Sequence, residues 1–185
     1  MPLTKIQSLG ITDGTIVNAD INASAAIAGT KLTGVGKVLQ VVSTTKTSTF
    51  STATTGSFVE VTGLNVNITP SSASSKIFIS GIVAVGHSTT TAGLYLKVQR
   101  DSTDIGIGDA SSSSIRSMAG TDVREYQTRQ LSINFLDSPN TTSAINYKVL
   151  IQSPNATSHI NNDGEADGTN HTQPISTITV MEIAA

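Results

Sequence analysis

Cysteine and tryptophan are absent; aromatic residues make up 4% of the 185-residue chain and charged residues 13%. Without cysteine there is neither a disulfide framework nor a thiolate metal site, so stability has to come from burial. Three tyrosines and no tryptophan leave few platforms on which sugar rings could stack, which argues against a polysaccharide depolymerase. The net charge of -2 supplies no field for steering DNA, RNA or anionic lipid, and nucleic acid is set aside as a partner. No run approaches the roughly 20 apolar residues of a membrane helix. The opening Met1-Pro2-Leu3-Thr4-Lys5 also lacks the apolar core of a secretory signal, so the expectation is synthesis in a cytoplasm without membrane insertion.

The chain is rich instead in hydroxyl groups, with serine and threonine making up roughly a quarter of it against ordinary usage. Thr, Val, Ile and small turn residues favour strands over helices, so the composition predicts an all-β protein. Hydrophobic residues at 37% make a thin core for this length, and oligomerisation is expected to supply part of the stability.

The clearest pattern lies between Val59 and Gly86. Leu64, Val66 and Ile68 alternate with polar residues and share one face of an extended strand. Pro70-Ser71-Ser72-Ala73-Ser74-Ser75 should turn the chain, and Ile77, Ile79, Ile82, Val83 and Val85 return, which reads as a hairpin of two long strands. Further strands are predicted over Val38 to Thr45, Thr47 to Ser51, Leu94 to Arg100, Thr103 to Ile107, Gln127 to Leu136, Ile145 to Ser153 and Ile175 to Ile183. Alternation leaves one face of each strand wet. Eight or nine such strands close most easily as two packed sheets, and the long connections favour a jelly-roll β-sandwich over a meander.

Residues 1 to 36 follow a different rule. Ile11, Ile16 and Ile21 fall five apart, and Ile27 and Leu32 resume that step after a slip of one. Five matches neither helix nor strand, and the segment has too few apolar residues for a core of its own. Three copies wound together could turn the row to a common axis; a polar arm ordered by a neighbour is the alternative. The expected organisation is therefore an extended arm over 1–36, for anchoring or trimer winding through these five residues, and a sandwich head over 37–185.

The run from Gly14 to Leu32 (GTIVNADINASAAIAGTKL) resembles the low-complexity repeats of fibre and related virion proteins of tailed bacteriophages, marine cyanophages among them. Phe58 to Val85, Gln99-Arg100-Asp101-Ser102-Thr103, Phe135 to Thr141 and Ser176 to Ile183 resemble the terminal module of such proteins. The resemblance implies a phage structural protein located on the virion. It would be a homotrimer bound through its arm to another virion protein of the tail, neck or capsid, with its head displayed toward a host surface glycan or protein. A capsid decoration or head-fibre protein without receptor binding is the alternative implied role.

Two polar connections are too long for turns, 108–122 and 154–174. A rigid β scaffold carries binding surfaces on such loops, and Ser112, Arg116, Asn162, Asp163 and Asp167 are the candidate receptor-facing residues. Asp163-Gly164-Glu165-Ala166-Asp167-Gly168 matches the start of a calcium loop, but its twelfth position is Pro174 where a bidentate glutamate is required. The expectation is a solvated acidic turn. His87, His159 and His171 stand in no ligand spacing, and His87 at a strand end and His171 in a loop read as exposed or inter-subunit polar residues. No nucleophile elbow or spaced acid and base pair stands out. The sequence thus predicts no catalytic residue, metal ligand or cofactor.

Overall fold

The computed structural model describes residues 37–87, 92–164 and 171–184. The eleven strands within them are β1 (Val38–Lys46), β2 (Phe50–Thr52), β3 (Val59–Ile68), β4 (Lys76–His87), β5 (Ala92–Arg100), β6 (Thr103–Ile105), β7 (Ala119–Val123), β8 (Thr128–Asp137), β9 (Ile145–Gln152), β10 (Ser158–Ile160) and β11 (Ser176–Ile183). All their pairings are antiparallel. β1 runs beside β11, β3 beside β9, β4 beside β8, and β5 beside β6 and β7, each pair nested within the last. Rolling this ribbon brings β11 against β4 and β9 against β5. The result is two sheets, β1-β11-β4-β8, extended at one end by β10 and β2, and β3-β9-β5 with β6 and β7. The fold is a jelly-roll sandwich.

This topology corrects one expectation from the sequence. β3 and β4 are not a hairpin; they lie in opposite sheets, and Pro70 to Ser75 carries the chain across the sandwich. Alternation identifies the buried face of a strand, whereas its lateral neighbour is decided by the whole roll. A true two-residue hairpin joins β5 to β6, where Arg100 pairs with Thr103 and Asp101 adopts φ 53, the left-handed conformation such a turn needs. Two further strands lie outside the expected set: β7 takes up the end of the segment read as the loop 108–122, and β10 lies inside 154–174.

Inward side chains from both sheets form one core, including Leu64, Val66, Ile77, Ile79, Leu94, Leu96, Ile133, Ile151, Ile178 and Val180. Ile82, grouped with that face by sequence, points outward and is half-buried. Two buried polar groups tie the layers. Asp137 on β8 accepts both oxygens' worth of contact from Arg100 Nη1 on β5, at 2.9 Å each, and a 2.7 Å bond from Tyr147 Oη on β9. Burial, then the Asp137 carboxylate, pushes the Tyr147 phenol far above its ordinary range, so it stays a donor. Glu182 on β11 is fully buried and holds the crossover: its Oε1 accepts from the Ser71 amide (2.8 Å) and hydroxyl (2.7 Å), and its Oε2 from Gln40 Nε2 (2.6 Å). Burial alone would raise its pKa, but the hydrogen bonds from Gln40 and Ser71 outweigh that and hold it down to about 2.

Candidate functional site

The end of the sandwich where β4 finishes gathers most of the unusual polar chemistry. β4 ends in His87, β10 pairs with it there (Ser158 opposite His87, His159 opposite Gly86), and β2 covers β10. Gly86 has no side chain because the backbone of Asn162 and Asp163 lies where a Cβ would stand. Asn161, at φ 58, secures this arrangement. Its Nδ2 donates to the carbonyls of Lys46 (2.8 Å) and Ser48 (3.1 Å), and its Oδ1 accepts from Ser176 Oγ (2.6 Å). Asp163 then pairs with His171 Nδ1 at 2.5 Å. The segment that leaves β10 is thus pinned to β1, β4 and β11.

Three expectations meet this geometry. Asn162 and Asp163, read as receptor-facing, are buried, with 8% and 2% exposure. Asp163 is therefore no solvated turn residue. His87, read as exposed or inter-subunit, is completely buried, with Nε2 3.3 Å from Ser153 Oγ. Asn162 Oδ1 accepts from the Gly164 amide, Asp163 pairs with the His171 imidazole and His87 meets the Ser153 hydroxyl, uses of polar residues that composition does not reveal. Asp167, with the remainder of 165–170, lies outside the described residues, as do Ile11, Ile16, Ile21, Ile27 and Leu32.

The three histidines converge even though they are far apart in sequence. His159 lies near His87 and Asp163, and burial followed by repulsion from His87 lowers its pKa while Asp163 partly opposes the shift. Its Nε2 is buried without a hydrogen-bond partner among the described residues. Phe50, Ser51, His159, Asn162 and Gln173 line a shallow cleft of about 250 Å³, below the usual range for a small-molecule site. Among the described residues no group of three or more His, Asp or Glu is arranged to hold a metal ion.

Ser112 and Arg116 are exposed. Their loop leaves the middle of the β5 edge, where β6 ends opposite Val98 and Met118 N donates to Leu96 O. Arg116 Nε closes it by donating to Gly108 O at 2.7 Å, and Ser112 takes φ 47. Among the described residues the two long connections start from different places, one from a sheet edge and the other beside the β4 end.

A feature that sequence reasoning passed over is the outer face of β1-β11-β4-β8. Val41, Met181, Phe78 and Leu136 stand in register across all four strands. Val41 is 55% exposed and Leu136 54%. The neighbouring row, Ser43-Thr179-Ser80-Asn134, is polar and linked by hydroxyl bonds. The signal was present in sequence as apolar residues at wet positions of four strands, but only the pairing register aligns them.

No family model matches the sequence, and no curated protein matches it. Among solved structures the chain is similar to one from the Gx strain of infectious bursal disease virus, with 12% identity and a TM-score of 0.42 over 80% of this chain and 40% of that one. It is also similar to a mutant VP2 protein of that virus in T=1 particles (13%, 0.43, 78% and 39%) and to a VP2 subviral particle (15%, 0.41, 78% and 32%). The chain therefore spans about two fifths or less of the length of the solved chains to which it is similar.

Proposed function

We propose that this protein is a structural component of a phage particle, a fibre or fibre-like appendage that attaches through residues 1–36 and displays the jelly roll in several copies, expected to be three. Its work is attachment and display without turnover of a substrate. The observation that carries the reading is a jelly roll preceded by a segment whose sequence, with Ile11, Ile16, Ile21, Ile27 and Leu32 set five or six apart among small polar residues, offers too few apolar residues for a core of its own. The resemblance of Gly14 to Leu32 to phage fibre connectors supports the same role. The exposed loop with Ser112 and Arg116 is the surface offered to a host glycan or protein; three weak contacts on one rigid assembly gain by effective concentration.

A second reading, a decoration protein of the capsid that binds no receptor, is favoured by the burial of Asn162 and Asp163. Immunogold labelling of intact particles tests the proposal. Label on tail or neck supports the fibre reading, label over the shell supports decoration, and absence from purified particles refutes both. Adsorption of the isolated protein to host cells separates the two further.

A further inference from the structure

We propose that the outer face of β1-β11-β4-β8 is the surface through which copies of this chain meet. The inference deepens the multi-copy reading above and rests on it. One apolar row crosses the sheet, Val41-Met181-Phe78-Leu136, and beside it Val38 lies opposite Ile183 on the first two strands, with Lys76 next in register. Val38, Val41 and Leu136 each keep more than half of their surface exposed, and Leu39, in the bulge next to Val38, keeps 44%. Together these half-exposed aliphatic groups amount to roughly a few hundred Å², the scale of the largest apolar patch on an ordinary monomer, which is often functional.

The face points to a second copy because of its charge. Val41, Ser43 and Thr45 face outward on β1, and Thr177, Thr179, Met181 and Ile183 on β11. Lys76, Phe78, Ser80 and Ile82 do so on β4, and Gln130, Ser132, Asn134 and Leu136 on β8. Lys76 is the one charged group among these residues, and its Nζ is bonded to Ser138 Oγ at 2.8 Å. A charged partner would find only Lys76 to pair with here, whereas two identical faces that carry one lysine each, at the end of the face, meet with little like-charge repulsion. The polar row adds hydroxyl and amide groups able to donate and accept, which suits contact between identical surfaces.

Incorporating a photo-crosslinking phenylalanine analogue at Asn134 in the full chain tests this, with Asn67 as control on the outer face of the other sheet. Both side chains are exposed. Illumination of the Asn134 variant should give a denatured band at twice the 19.1 kDa chain mass, mapped to β1, β11, β4 or β8 of the second copy. The Asn67 variant should not, and Leu136→Asp should remove the band. A crosslink confined to one chain, or one mapped to residues 1–36 of another copy, overturns the proposal; so does an unpaired band at 19.1 kDa. The solution mass of the unmodified protein separates the failures: a single chain sinks the multi-copy reading as well, whereas a multi-copy protein without the crosslink sinks only this choice of face.

Discussion

Replacing Glu182 with glutamine should weaken the fold in a way that can be calculated in advance. The carboxylate fastens the Pro70 to Ser75 crossover to the last strand by two bonds from Ser71 and joins β1 through Gln40. Glutamine keeps one carbonyl acceptor but places an amide donor against Gln40 Nε2 and removes the charge. The folded pKa of about 2, against an ordinary value of 4.5, corresponds to an upper bound of about 3 kcal/mol. Because glutamine retains a carbonyl acceptor for the Ser71 amide and hydroxyl, the expected loss is about 1 to 2 kcal/mol. Because the folded-state pKa is the lower one, the contribution is complete above about pH 4.5 and is lost as pH falls toward 2. Urea unfolding at fixed protein concentration at pH 7, 4.5 and 3 should therefore show Glu182→Gln less stable at pH 7, with the gap closing at pH 3. For a chain of this size the thermal midpoint should fall by about 2 to 8 °C at pH 7. Equal stability of the two proteins at pH 7, or a gap unchanged by acid, would refute the reasoning.

Asp137→Ala strands Arg100 and Tyr147 between the sheets and should cost about 3 kcal/mol, against about 1 kcal/mol for Tyr147→Phe, both read by urea midpoint. Asn161→Ala removes three hydrogen bonds that pin the segment after β10 and should cost about 2 to 3 kcal/mol, with faster proteolysis after Ile160 as the local signature. Gly86→Ala drives a methyl into the Asn162 backbone and should destabilise by about 1 to 3 kcal/mol. His159 has a folded pKa below its ordinary 6.5, so stability should fall as pH drops through that value, and His159→Asn should flatten this part of the pH profile while leaving the acid limb set by Glu182 in place.

Strand-forming segments were legible because burial on one side imposes a period of two: Leu94, Leu96 and Val98 lie inward, as do Ile145, Tyr147, Val149 and Ile151. The partner of each strand was not legible, since Ile68 and Ile77 carry the same signal whether their strands pair or cross to opposite sheets. β7 is Ala119-Gly120-Thr121-Asp122-Val123 and β10 is only Ser158-His159-Ile160. Neither has an apolar run; each is held as a strand by the sheet edge it joins. The polar latch of Asn161, Asp163 and His171 was equally hidden, because its members become a site only through contacts with β1, β4 and β11. Conversely, the outward Phe78 and Met181 looked like ordinary strand residues until register set them in one row.

In the proposed function the first 36 residues hold the protein in a particle. Cosedimentation of purified particles with the full chain and with a chain lacking residues 1–36, each checked for β structure by circular dichroism, tests that claim most directly. The full chain should sediment with particles and the shortened one should remain in solution with its β signal intact. Equal sedimentation of a folded, shortened chain would contradict the claim.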